Sequence, residues 1–452
     1  MQILRQLWQT VKRFPFVIGA CLLFIVLFMY SLENVDKVEY LTNYFLLIIL
    51  SIPVFVAIRL FCESRSIKFN YKLIANLVTI AIFVGVSFLM PEDIFLDVYS
   101  YIFLPIGTAL WLLPFLAAYL DKRNHDDFLV FTYNVVFYGL IYYILSGLIL
   151  IGLSVAVFAI YELFELSFFV PKIMSYFGSV IFGLGLPLMI LNNVHKKLTN
   201  IEEPKLHKIN IKSIAKYVLF PLVVIYFLII YSYALKIIFT ATWPEGIVGI
   251  MVLAFVGLAL FTMFFSWTHY VKTKARHFFT GIFIAIIPMA VLLLMAVGVR
   301  VSEYGVTESR YFVTLFGLIF IAISTYYLIS RTKFNWKFVF MGVALIAIIT
   351  TFGPWSAISV AKNSQLDRLE SKLVDLNLIV NGKVVKPAEP IVYTYGKDDQ
   401  YYSLIRDIGH FRRVYGNESV SHWFNSDISE MYNADLFENE MNIYSTYGQR
   451  KF

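Results

Sequence analysis

The residues best suited to chemistry in this chain are charges set among apolar runs, close to the ends of candidate membrane helices. Arg300, Glu303, Tyr304, Glu308, Arg310 and Tyr311 fall within one short stretch. Lys236 precedes them, just before Trp243-Pro244-Glu245-Gly246, and Trp355, Ser356, Gln365 and Arg368 follow. Guanidinium and ammonium groups of this kind bind phosphate or carboxylate, and a neighbouring carboxylate can serve as a base. The set therefore reads as a polar lid or anion-binding rim. The simpler and preferred reading is that Arg300 and Arg310 pair with Glu303 and Glu308 and pin the loops. A second constellation, Glu162 and Glu165 at i, i+3, could form a cation or proton site. Interfacial acids at a helix end, where charge is cheap, are the preferred reading there.

Other chemistry is missing. The chain has no phosphate-binding G-x-x-x-x-G-K-[ST] loop, no H-E-x-x-H, no C-x-x-C and no G-x-S-x-G. The seven histidines are scattered, and His410 and His422 are too far apart in sequence to make a strong metal signal. Neither a metal nor a cofactor is expected.

What positions these residues is an unusually apolar chain. Of 452 residues, 59% are hydrophobic and 15% charged, with a mean hydropathy of +0.73. A soluble fold of that composition could not cover its surface with polar groups, so lipid must be the solvent. Apolar stretches of about 17–25 residues match a hydrocarbon core of roughly 30 Å. Such stretches occur at 15–32, 41–62, 71–90, 98–120, 128–160, 171–191, 216–240, 246–268, 278–299, 310–330 and 337–353. The fifth is too long for one upright span. The first resembles a signal peptide but lacks a small-x-small cleavage site, so it reads as an uncleaved helix.

Charge alternates with the connections. Arg5, Lys12, Arg13, Arg59, Arg65, Lys68, Lys122, Lys196, Lys272, Arg331 and Lys333 all fall on one side, whereas the alternate loops are mainly acidic. By the positive-inside rule the N-terminus is cytoplasmic and, after eleven spans, the C-terminus is extracytoplasmic. The net charge of +7 is thus a topology signal, and nucleic acid is excluded as a partner. The expected organisation is a basic N-terminus over 1–14, a transmembrane domain over 15–361 and an extracytoplasmic region over 362–452. Cys21 and Cys62 lie in or beside apolar runs, which argues against a disulfide.

In the C-terminal region, Leu366, Leu369, Leu373 and Leu376 give an amphipathic helix. Asn381-Gly382 suits a type I′ turn within a hairpin over 378–385. Tyr402, Ile405, Ile408 and Phe411 predict a second helix opened by Asp398-Asp399, and 419–424 a short helical turn. Within the spans, Pro53, Pro105, Pro114, Pro187, Pro221 and Pro288 each free a backbone carbonyl. Such kinks suit transporters, but packing also tolerates them.

Three segments carry a resemblance: PLVVIYFLIIYSYALKI at 221–237, EYGVTESRY at 303–311 and GPWSAISVAKNSQLDRL at 353–369. Together they resemble the bacterial membrane family catalogued as domain of unknown function 4153, over about residues 70 to 380. The resemblance implies a multi-pass protein of the bacterial inner membrane, and it implies no activity, substrate or catalytic residue.

The expected fold is an all-α polytopic bundle of about eleven transmembrane helices with a small, mainly helical tail. Three functions stay open, in this order. The first is a transporter, channel or lipid-handling protein without its own ATPase, partnered by the lipid bilayer and by a lipid or small-molecule substrate. The second is a non-catalytic scaffold or sensor that holds an envelope protein. The third is an enzyme acting on lipid-linked phosphorylated substrates, with Arg310 or Lys236 on phosphate and Glu303 or Glu308 as base. No catalytic residue is assigned.

Overall fold

A computed structural model describes residues 2–34, 38–90, 97–120, 125–164, 170–194, 211–240, 247–270, 273, 276–385, 389, 391–393, 400–423 and 443–445. Helices dominate. The chain opens with α1 (Gln2–Arg13), α2 (Pro15–Glu33), α3 (Val38–Ser64), α4 (Phe69–Leu89), α5 (Asp97–Ala117) and α6 (His125–Leu163). The next span is α7 (Val170–Val180), a π-helical turn (Ile181–Gly185) and α8 (Leu186–Asn192). Then come α9 (Ile211–Ile214), a second π-helical turn (Ala215–Leu219), α10 (Phe220–Thr240), α11 (Ile247–Tyr270), α12 (Arg276–Tyr304), α13 (Glu308–Ser330) and α14 (Trp336–Ile349).

Among the described residues ten helices are long and apolar enough to cross a membrane, and α14 is the shorter eleventh. The difference from eleven full spans has a local cause. Asn335 caps α14 where the span was expected to begin, accepting from the Lys337 amide at 2.9 Å, but the helix stops at Ile349, ahead of the turn at Gly353-Pro354. Its 14 residues rise only about 21 Å. The chain nevertheless runs most of the length of α13. The Asn335 amide donates to the Tyr326 hydroxyl at 3.2 Å, and the Trp355 carbonyl accepts from Tyr311 at 2.7 Å. Residues after 355 therefore emerge at the end of the bundle where α13 begins, called the rim below.

Burial follows lipid logic rather than water logic. Half of the apolar window of α3 is buried inside the protein, against 11% for α4. Ile74, Leu77, Val78 and Ile82 on α4 face outward, as apolar side chains do where hydrocarbon is the solvent. At 39 residues α6 rises about 58 Å, more than any upright span requires. Its first turns are buried through Phe128, Leu129 and Phe131, while Ile144, Ile151, Val155 and Leu163 are exposed. Opposite the rim, Trp267, Phe279, Phe283, Tyr327, Phe334 and Trp336 form an aromatic knot. The Phe283 and Tyr327 rings stack there at 4.0 Å. At the start of the chain, α1 is tied down by Thr10 bonding Asn192 and by Arg13 pairing with Glu63 at 2.7 Å.

The C-terminal region comprises α15 (Ala357–Asp375), β1 (Ile379–Val380), β2 (Lys383–Val384), β3 (Ile391–Tyr393), α16 (Gln400–Tyr415) and β4 (Ile443–Ser445). β1 and β2 pair antiparallel, with Val380 opposite Lys383, and β3 pairs parallel with β4. Asn381 (φ 51°) and Gly382 (φ 76°) both take the left-handed backbone that a type I′ turn demands, as the sequence predicts. Two 3-10 turns over Asn417–Ser419 and Ser421–Trp423 follow α16. The expected helix start at Asp398-Asp399 lies outside the described residues. Leu369, Leu373, Leu404, Ile408, Phe411 and Trp423 build a small core of their own, and α15 and α16 also touch α5 and α13.

Candidate functional site

The rim site begins at the turn between α12 and α13. Gly305 adopts φ +71°, and a Cβ there would lie 3.0 Å from Gln365 Nε2, so any other residue would be strained and would crowd α15. α15 then staples the turn. Gln365 Nε2 donates to the carbonyls of Val306 (2.8 Å) and Tyr304 (3.1 Å), and Ser364 Oγ accepts from the Val306 amide at 2.9 Å.

Two arginines close on the same turn. Arg310, on the first turn of α13, donates to the Gly305 carbonyl at 2.7 Å and the Tyr304 carbonyl at 3.4 Å. Arg368, on α15, donates to that same Tyr304 carbonyl at 3.3 Å. Their guanidinium carbons stand 5.5 and 5.8 Å from the centre of the Tyr304 ring. Around them lies a cleft of about 440 Å³, walled by α5, α13, α15 and α16. On its α16 wall Asp407 takes Lys372 at 2.6 Å, Arg406 at 3.2 Å and Arg368 at 3.9 Å. Tyr415 donates its hydroxyl to Glu308, tying α16 to α13. Burial, and then this bond, push the Tyr415 phenol well above its ordinary value. Burial alone lowers the Arg412 guanidinium. Arg413 meets His410 Nδ1 at 3.3 Å, and His410 lines the cleft.

The structure brings together Tyr304, Glu308, Arg310, Gln365 and Arg368 from the sequence-predicted set. Tyr311 and Trp355 are joined beside the cleft, and Ser356 is occupied in capping α15, where its Oγ accepts from the Ser359 amide at 3.3 Å. Lys236 and Glu303 are exposed and do not line the cleft, and Arg300 reaches Arg310 only through its charge. Glu162 is exposed at the end of α6, and Glu165 lies outside the described residues. One preferred pairing is corrected: Arg310 does not take Glu308. Residues two apart on a helix point to opposite sides, so Glu308 turns to Tyr415 and Arg310 to the backbone.

Sequence reasoning missed Tyr101, Asp407, His410 and Tyr415, which line the cleft from other elements. Tyr101, at the start of α5, bonds Ser309 at 2.7 Å and stacks on Phe312. No local pattern marks these partners, because only packing unites them.

A second feature was signalled by prolines. Between α2, α3, α5, α6, α7 and α8 lies a cavity of about 780 Å³, and Pro53, Pro114 and Pro187 all line it. So do Phe182 and Gly183 of the π-helical turn, a deviation that recurs at functional sites. Among the described residues no charged side chain reaches its wall. A third hollow, an open groove of about 790 Å³, follows α5 from Ser100 through Phe103, Leu104 and Thr108 to Trp111 and Phe115. Trp111 and Phe115 line the cavity as well. The three hollows thus succeed one another along α5, because Tyr101 lines the cleft and Ser100 beside it lines the groove.

This architecture defines a multi-pass α-helical membrane protein with a polar cleft at one end, lined by two arginines and two acids, and apolar hollows within. The chain belongs to the family described as Domain of unknown function (DUF4153), whose model matches residues 14–384. It is also similar to "Uncharacterized protein PM1469" of Pasteurella multocida (strain Pm70), at 24% identity over 243 residues. That match covers 52% of this chain and 40% of the relative, so the chain spans less than half the length of the curated protein it matches. No solved structure gives a significant match.

Proposed function

We propose that this protein handles a membrane amphiphile, with the anionic head group in the rim cleft and the hydrocarbon along α5. The observation that carries this reading is the polarity gradient: a cleft bearing Arg310 and Arg368 gives way along one helix to hollows without charge. A polar solute crossing the bundle would need partners at mid-membrane. Among the described residues the interior cavity offers little beyond Cys21, Ser175 and Ser179. Of the transporter, channel and lipid-handling readings, the last fits these walls. We place the basic loops in the cytoplasm and the rim and tail on the outer face of a bacterial inner membrane, on the positive-inside pattern.

Native mass spectrometry of the gently solubilised protein tests the reading. Gly178 lines the cavity, and a Cβ there meets only Leu150 at an ordinary 3.7 Å, so a side chain can start there without clash and Gly178→Leu adds bulk at the cavity wall. The wild type is expected to retain anionic lipid, and Gly178→Leu to retain less. Recovery of lipid-free wild type, or equal retention by both, contradicts the proposal.

A further inference from the structure

The arrangement around Tyr304 is electrostatically incomplete. Two cations are drawn to one carbonyl oxygen, which also accepts from Gln365. A carbonyl has two lone pairs, so three donors oversubscribe it. Each guanidinium carries five N–H donors. Arg310 spends only its NH1 nitrogen, on backbone carbonyls, and forms no ion pair among the described residues. Arg300 and Arg368 both repel it. Neither acid of the cleft pairs with Arg310: Glu308 is engaged by Tyr415, and Asp407, already held by Lys372 and Arg406, reaches only Arg368, at 3.9 Å. His410 lines the same cleft from α16. Arginine only donates, so the contact with Arg413 makes Nδ1 the acceptor and leaves the Nε2 proton for another partner.

We propose that Arg310 and Arg368 form the two arms of an oxyanion site for a phosphate ester, with His410 of α16 as a third donor. Forked guanidinium donors match phosphate oxygens bidentately. A cleft of about 440 Å³ falls in the usual range for organic ligands, so the group carries more than bare phosphate. α13 supplies one arm, and the C-terminal region supplies the other arm and the third donor, so the site exists only while the tail is docked. This deepens the amphiphile reading, but the site itself needs only the phosphate chemistry, whether from a lipid head group or a soluble ester.

The test uses the full chain in nanodiscs of zwitterionic lipid, with phenylglyoxal modification of Arg310 and Arg368 followed by mass spectrometry. Inorganic phosphate is expected to slow modification of both arginines, whereas chloride at equal ionic strength does not. In Arg310→Gln, phosphate should protect Arg368 about tenfold more weakly, and Arg368→Gln should do the same to Arg310. Lys333→Gln, at the other end of the bundle, serves as the unaffected control. Protection by phosphatidic acid built into the nanodisc identifies a lipid source. Protection by free phosphate alone upholds the site and sinks the lipid reading. Equal effects of phosphate and chloride, or no protection at all, overturn the proposal.

Discussion

Tyr415→Phe isolates the bond that holds the tail on the bundle. The change removes one hydroxyl and keeps the ring that contacts Phe411 at 4.7 Å. What is lost is a hydrogen bond to the Glu308 carboxylate. Bonds to charged groups contribute about 1.5–3 kcal/mol, and because Glu308 is half-buried and keeps some water, the lower end applies. About 1.5 kcal/mol is close to tenfold in the equilibrium for undocking α16. Hydrogen exchange followed by mass spectrometry reads this directly: amides in 400–415 should exchange about tenfold faster, with α12 and α13 unchanged. The same bond sets a pH limit. The phenol is raised in the folded state, so its contribution is fully present below the unfolded tyrosine value of about 10 and lost as pH rises beyond it. The wild-type tail should loosen above about pH 10, and the Phe variant should lack that component. Unchanged exchange in 400–415, or an identical alkaline loss in both proteins, refutes the reasoning.

Other outcomes follow from the same structure. Trp423 is the largest side chain wholly enclosed in the tail core, so Trp423→Ala should cost about 3–5 kcal/mol. Limited proteolysis should then cut within 362–423 while the transmembrane helices stay intact, and a resistant tail would contradict this. Gly382→Val forces a β-branched residue into left-handed backbone at about 1–2 kcal/mol. Exchange across 379–385 should rise, and an unaltered hairpin would sink the turn assignment. Cys21 and Cys62 are buried and free, so they should stay silent toward an impermeant maleimide. Against that background, Asn381→Cys should label in intact cells and Lys333→Cys only after permeabilisation; the reverse pattern refutes the orientation.

What was legible in the sequence was local chemistry. Hydropathy located the spans because a lipid solvent imposes a minimum apolar length. The Asn381-Gly382 turn was readable because two successive positive φ values admit few residue types. The early end of α14 was not, since the apolar run continues past Ile349, where the helix stops ahead of Gly353-Pro354. At the site, proximity in sequence misled: Glu308 and Arg310 are neighbours in the chain and diverge on the helix. Arg368 and Tyr415 are distant in the chain and converge on the cleft. The prolines gave a partial signal, because half of those noted line one cavity, yet no spacing rule could have shown which.

A density map of the protein in nanodiscs made with its native lipids tests the central claim most directly. An elongated density is expected along α5, with its polar end between Arg310 and Arg368 and its tail running past Phe103 toward Trp111. A cleft and groove empty of lipid while annular lipids are resolved elsewhere, or a continuous water-filled polar path through the bundle, would contradict it.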